Sequence, residues 1–371
     1  MLQVDNVYEF FYSTIFNEFE MCFCLGGVVI SDAANTHVFT RIAMEEKKIF
    51  FYDQEPFIPS LALPYMSRFI TEQGPHILAI SEHSACLNDY ITDNNFNKLY
   101  YFFHGFAALD WYRGFYALNY NKQVVKEYTH DYVTFNRLVA NDRSYRCYFV
   151  SKLAEEFLLE HGQISFGLAT EQATWQEEIA DGNTKLSSKA IDHIKLHLPS
   201  TPLVIDNEQV LGSASADIPR CINDSLWHIV TETVFYYDKL HLTEKIFKPI
   251  VMKQPFMLLG ALGNLAYLKS YGFKTFEGII DESYDFIQDN DLRIEAVVKQ
   301  LAWYCALTAE EKQQVIEAIA PIVEYNFHHF YGEFKHIITR ELLDNCQTLF
   351  KEIGYDDNAI AYDDIYRVLT S

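Results

Sequence analysis

The sequence predicts an α/β fold built on parallel sheets in two domains, and three observations predict it. First, residues 227–260 read as strand, loop, helix, strand. Trp227 to Phe235 is an apolar β-type run with Glu232 near its end, YYDKLH is a loop, Thr243-Glu244-Lys245 opens a helical pattern, and Pro255 to Gly260 is a second buried run. Second, three apolar runs in the first third of the chain each end in polar residues, as parallel strands do at the rim where α/β proteins bind ligands. Third, 371 residues with 49% hydrophobic content are enough for two α/β cores.

Taken in order, residues 1–48 mix an aromatic helical pattern with CFCLGGVVISD, a strand-like run broken by a tight turn at Gly26-Gly27. KIFFYDQEPF follows. Ile49 to Tyr52 is a buried β run, and Asp53, Gln54 and Glu55 stand at its carboxyl end before Pro56. Glu55 there is a candidate general base, or else part of a polar loop. HILAISEHS ends in Ser81, Glu82 and His83. KLYYFFHGFAALDWYRGF ends at His104-Gly105 and then presents Asp110 and Trp111. His104 and Asp110 are rival bases or acceptor-binding groups, and equally serve as ordinary core and loop residues.

A polar linker near Lys126 to His130 places the domain boundary at about 128/129. DYVTFNRL is the first strand of the second domain and ends at Asn136-Arg137. DRSYRCYFVSKLAEEFLLEHG reads as a helix with Asp142 as its cap and Arg143 and Arg146 near its start. Arginines at a helix N-terminus oppose the dipole, so a bound anion explains them; the alternative is surface pairing with Glu155 or Glu156. Gly162 to Phe166 is the next strand, and 170–202 reads as a polar, acidic insertion. Asp289-Asn290-Asp291 has the form Asp-x-Asp, but no apolar strand precedes it, so it reads as a helix-capping loop. Helical periodicity runs through 292–307 and from 309 onward. The organisation expected is 1–128, 129–334 and a helical tail, 335–371, that crosses back to the first domain.

The chemistry concentrates after Glu232. Thr243 is placed to cap a helix whose free amides and dipole attract an anion. Lys245 and Lys248 add full charges on one face, and Glu244 can accept from ribose hydroxyls. The plain alternative is an amphipathic helix with a Glu244–Lys248 pair. Pro249, past the first turn, kinks or ends the helix.

Glu232, then LHLTEKIFKPI, then a buried run with Pro-Phe, resembles the donor-binding motif of the α-1,3-fucosyltransferases, and the whole block through GFKTF and DESYD is similar to phage and marine-virus glycosyltransferases. The resemblance implies the GT-B type: two Rossmann-like domains with an interdomain cleft. It implies a nucleotide-sugar co-substrate, UDP- or GDP-linked, held by Glu244 and Lys245, with Arg137, Arg143 and Arg146 near the phosphates. It implies inverting transfer with Glu55 as base, no metal and no separate cofactor. Pro56, where the family has Asn, and Pro249 depart from its pattern. The acceptor implied is a glycan or a hydroxymethylated pyrimidine of phage DNA. A protein of another class, binding nucleotides without catalysis, fits the same residues.

Composition narrows the partners. A net charge of −22 repels nucleic acid unless charge is segregated, and basic residues do gather in 110–152 and 239–274. The 7 cysteines include no Cys-x-x-Cys, so reduced thiols are expected. No run approaches the roughly 18 apolar residues of a membrane span, and MLQVDNVYEFF lacks a basic leader, so a cytoplasmic protein is expected, in the host cytoplasm if viral.

Overall fold

A computed structural model describes residues 20–25, 48–53, 57, 76–102, 128–136, 138–139, 141–167, 175–180, 182, 184–199, 203, 220–354 and 360–370. The chain divides into two compact units. One comprises Met1–Gly114, Lys239–His241 and Tyr331–Ser371; the other comprises Phe115–Asp238 and Leu242–Phe330. The division thus falls at Gly114/Phe115 rather than at 128/129, and the helical tail from Tyr331 is counted with the first unit.

The first unit holds a four-stranded parallel sheet: β1 (Glu20–Leu25), β2 (Lys48–Asp53), β3 (His76–Ile80) and, after helix α1 (Ala85–Asp93), β4 (Phe96–Tyr100). The spatial order is β1-β2-β3-β4, so each strand pairs with its sequence neighbour. All five residues of β3, HILAI, are buried. A parallel strand covered on both faces needs such an unbroken apolar run. Ser84 caps α1, its Oγ accepting from the Leu87 amide at 3.2 Å, while Leu87 and Tyr90 are the buried residues of that helix.

The second unit holds β5 (His130–Asn136), α2 (Tyr145–Glu155), β6 (Gly162–Phe166), α3 (Ser188–His197), β7 (Ser225–Thr231), α4 (Glu244–Val251) and β8 (Phe256–Leu259). It continues through α5 (Asn264–Ser270), α6 (Asn290–Cys305) and α7 (Ala309–His329). Its sheet is parallel in the order β8-β7-β5-β6. The chain moves outward from β5 to β6, then returns past β5 to lay down β7 and β8. Every residue of β7 is buried, and Trp227 meets Phe276 and Tyr304 edge-on.

The tail of the first unit is α8 (Lys335–Ile353) and α9 (Tyr362–Thr370). The Asn345 side chain donates to the Tyr100 carbonyl at 3.1 Å, which ties α8 to the end of β4. A π turn, Phe330–Phe334, joins α7 to α8, and the division between units falls within it.

Several local expectations are corrected. The β run expected to reach Phe235 stops at Thr231. Val234 and Phe235 are buried as loop residues, with Phe235 stacked on Tyr145 at 4.1 Å. The helix read over 142–162 is helical only from Tyr145 to Glu155, because Phe157 has a φ of 56° and ends it. Asp142 does not cap it: Ser144 is the N-cap residue, and Asp142 instead binds Lys185 at 3.0 Å and the Tyr237 hydroxyl. Asp289 does cap α6, accepting from the Leu292 amide at 2.9 Å.

Candidate functional site

In the second sheet the chain reverses direction between β5 and β7. At such a switch point the connections leave on opposite faces, and a crevice opens outside the carboxyl ends of the two strands. Asn136 ends β5, Thr231 ends β7, and Glu232 follows it. The loop after β7 leads into α4, so the residues singled out from Glu232 to Lys248 start at this rim.

Glu232 is fully buried. Its Oε1 accepts from the Thr243 amide at 3.2 Å, and its Oε2 accepts from the Thr243 hydroxyl at 2.5 Å and the Thr233 amide at 3.3 Å. Gly260 makes room for it: a Cβ there would lie 3.5 Å from the Glu232 Cβ and Cγ and 3.0 Å from Asn264 Nδ2. Thr243 has extended backbone and caps α4, its Oγ1 accepting from the Lys245 amide at 3.3 Å. The Thr243 hydroxyl hydrogen is committed to Glu232, so its remaining lone-pair capacity faces Lys245.

The Lys245 ammonium uses that capacity. Its Nζ donates to Thr243 Oγ1 at 3.2 Å, to Thr233 Oγ1 at 3.0 Å and to Glu244 Oε1 at 3.1 Å. Three donors meet three oxygens, so the ammonium is fixed above the first turn of α4. Its side chain remains 23% exposed. The expected Glu244–Lys248 pair is replaced by Glu244–Lys245. Lys248 is buried, 4% exposed, with its ammonium 6.0 Å from the Phe135 ring centroid. The two lysines therefore sit in different surroundings, because α4 is buried nearly all round rather than on one face. Pro249 lets the helix run only to Val251, after which Gln254 N–H closes onto the Pro249 carbonyl at 2.9 Å.

Arg146 is buried and not a surface partner of Glu155 or Glu156. Its Nη1 donates to the Leu138 carbonyl at 2.8 Å and its Nη2 to the Thr231 carbonyl at 2.9 Å, with Glu232 O at 3.4 Å. The Tyr145 hydroxyl donates to Glu232 O at 2.5 Å. Together they pin the loop after β5 to the end of β7 and hold Glu232 in place. Arg146 thus positions the rim, and its fork is occupied by carbonyls. Arg143 is half-buried in the turn before α2. Glu55, His104, Asp110 and Arg137 lie outside the described residues, as do Gly26, Gly27 and Trp111.

The acidic DESYD stretch is structural. Asp285 accepts from the Leu265 and Ala266 amides at 2.9 Å each, at the start of α5, and burial raises its carboxyl above the usual range. Glu282 accepts from Thr275 and Phe276, both at 2.6 Å, and burial raises it likewise.

Two clusters were not anticipated. Asp131, His161 and Cys305 converge beside a cavity of about 550 Å³. Glu155, His193 and His197 converge between α2 and α3. His193 and His197 are four apart on a helix, a spacing visible in the sequence that puts both rings on one face.

Comparisons with protein-family models, with curated proteins and with solved structures return no match. Among the described residues no helix is long and apolar enough to cross a membrane.

Proposed function

We propose that the chain is a glycosyltransferase of GT-B type whose second unit binds a nucleotide sugar at the strand switch point. The observation that carries the reading is Lys245: a partly exposed ammonium, fixed by two threonine hydroxyls and Glu244, over the first turn of a helix that starts at the carboxyl rim of a parallel sheet. Helix amides, dipole and ammonium all favour a diphosphate there. Glu244, beside it, suits a ribose as hydrogen-bond acceptor. Lys248, deeper, contributes field rather than contact. The presence of two parallel sheets in two units agrees with a fold that gives the donor one domain and the acceptor another.

In the reaction, Glu55 removes the proton from an acceptor hydroxyl, and the oxygen attacks the anomeric carbon. The bond to the diphosphate breaks with inversion, and Lys245 stabilises the charge that develops on the leaving oxygen. The acceptor is a glycan or a hydroxymethylated pyrimidine; a net charge of −22 favours the glycan.

A thermal-shift screen of UDP- and GDP-sugars tests donor binding. A ligand at 100 times its dissociation constant adds about 2.7 kcal/mol, and one nucleotide class should do so. No shift with any of them sinks the proposal. Turnover then separates an enzyme from a binder: Glu55→Gln should leave donor binding intact and cut turnover by about 10²–10⁴-fold. If Asp110→Asn is the inactive variant instead, the base is Asp110; if neither is, His104 is next.

A further inference from the structure

Helices α2 and α3 pack together in the second unit. On their shared face the Glu155 carboxylate and the imidazoles of His193 and His197 bring one ligand atom each within 4.8 Å of one another. The two rings stack with centroids 4.4 Å apart.

The hydrogen bonds around His193 fix where its lone pair lies. The Ser151 hydroxyl donates its single hydrogen to the Tyr148 carbonyl at 2.8 Å. Ser151 Oγ is also 3.0 Å from His193 Nδ1, so there it accepts, and Nδ1 carries the hydrogen. The lone pair of the neutral ring is then on Nε2. This Nε2 is buried and 3.1 Å from Glu155 Oε2: with the ring protonated the two form an ion pair, and with the ring neutral each presents a lone pair to the other. In the neutral ring two atoms that both offer lone pairs are held side by side. Lys152, one turn earlier on α2, hydrogen-bonds the same Glu155 oxygen, so one carboxylate oxygen is shared between an ammonium and the imidazole Nε2.

A metal ion resolves this arrangement. Bonds of about 2.0–2.1 Å put two ligands of a tetrahedral zinc roughly 3.3 Å apart, close to the separation found. Two imidazoles with one carboxylate suit zinc or a neighbouring transition metal and not calcium or magnesium, which prefer oxygen alone. Ser151 is the outer hydrogen bond that such a histidine needs. We infer that Glu155, His193 and His197 form a site for one divalent transition-metal ion, with Lys152 as its displaceable occupant. His197 joins by turning its ring out of the stack. Glu155 lies at the far end of α2 from Arg146, about 14 Å along the axis at 1.5 Å per residue. The metal therefore fastens α3 to α2 and takes no part in sugar transfer.

The Asp131 cluster is the weaker candidate and the natural control. Both of its carboxylate oxygens are engaged, by Lys312 at 2.6 Å and His161 at 2.9 Å, and burial beside Asp131 pushes the Cys305 thiol up to about 12.

The test is titration of metal-stripped full-length protein with zinc, by calorimetry, and with cobalt(II), by absorption. One ion should bind, and the cobalt spectrum should lack a thiolate charge-transfer band. His193→Ala and His197→Ala should each weaken zinc binding at least tenfold, and Cys305→Ser should leave it unchanged. Lys152→Ala, which removes no ligand atom and frees the Glu155 oxygen, should tighten it severalfold and guards against a histidine variant that fails to fold. Absence of uptake, a thiolate band, or an affinity indifferent to both His197→Ala and Lys152→Ala overturns the site.

Discussion

The two units carry the same device at a strand end, built from different partners. In each, a buried glutamate lies just past a central parallel strand and accepts from the hydroxyl that caps a helix. In the first unit Ser84 donates to Glu82 at 2.8 Å while capping α1; in the second Thr243 donates to Glu232 at 2.5 Å while capping α4. The cations differ. Lys239 binds Glu82 directly at 3.1 Å, hydrogen-bonds the Phe57 carbonyl, and is 4% exposed against 2% for Glu82. Among the described residues no cation pairs directly with Glu232. Lys245 is one hydroxyl away and 23% exposed, and its own carboxylate partner, Glu244, is buried beside it. A pair sealed from water cannot exchange either member. On the function proposed above, an ammonium held by neutral hydroxyls and a carboxylate exchanges that carboxylate for a phosphate. The first device is a lock and, on the proposed function, the second is a socket.

The largest effect expected is on the lock. Lys239→Met leaves Glu82 charged, buried and without its cation, which costs about 3–5 kcal/mol. Hydrogen exchange should show the loss in β3, β4 and α1. Lys245→Met should cost about 1 kcal/mol or less, since its ion pair is partly exposed. Equal losses from the two variants would mean that both lysines are structural.

Acid should open both units, the second over the wider range. Burial, with the Lys248 charge adding to it, lowers His228 from 6.5 to about 3, and burial with Lys98 lowers His83 to about 4. A lowered pKa means that the folded protein binds fewer protons than the unfolded chain between the two values. The stabilisation is therefore complete above pH 6.5 and is lost as pH falls toward 3 for His228 and toward 4 for His83. For the fully buried His228 the loss is on the order of a few kcal/mol. Unfolding free energies between pH 7 and 4 should show it, and His228→Gln should flatten that part of the profile.

Next in size is an effect on affinity. Lys245→Ala should reduce nucleotide-sugar binding by about tenfold or more, as expected for losing a charge-assisted contact of roughly 1.5–3 kcal/mol, with the fold kept. Calorimetric titration measures it, and an unchanged dissociation constant removes Lys245 from the donor site.

What the sequence made legible follows the range of the interactions. The runs at 76–80, 225–231 and 256–259 announced themselves because a strand buried on both faces must be continuously apolar. The Thr243 cap was legible for the same local reason. Lys239 was not: its partner is 157 residues away, and nothing in YYDKLH marks one lysine for burial. Arg146 carried the right signal, a charge awkward at a helix start, but what answers it is a set of backbone carbonyls, and carbonyls leave no trace in side-chain pattern. Lys248 fell on the polar stripe of a two-faced helix, and the packing around α4 left no such stripe exposed. His193 and His197 were in plain view at helical spacing. Only folding brings Glu155 to them.

The sharpest test of the comparison acts on the element the two units share, the capping hydroxyl. Ser84→Ala removes a cap and one of the hydrogen bonds to Glu82. Losing a cap costs about 0.5–2 kcal/mol, and Lys239 still neutralises the carboxylate, so the loss should stay near 1 kcal/mol with no change in ligand affinity. Thr243→Ala removes the same cap, but it also takes the 2.5 Å donor from Glu232 and one of the three oxygens that fix Lys245. Glu232 keeps only two backbone amides, and the ammonium is free to swing toward Glu244. Stability should fall by more than in Ser84→Ala, about 2 kcal/mol, and donor affinity should fall with it. Thr243→Ser, which restores the hydroxyl, should recover both. If Thr243→Ala loses stability and keeps affinity, the hydroxyl serves the helix alone and the socket lies elsewhere on the rim. If it loses affinity and Thr243→Ser regains it, the cap of α4 is what converts a buried glutamate into a support for a phosphate-binding lysine.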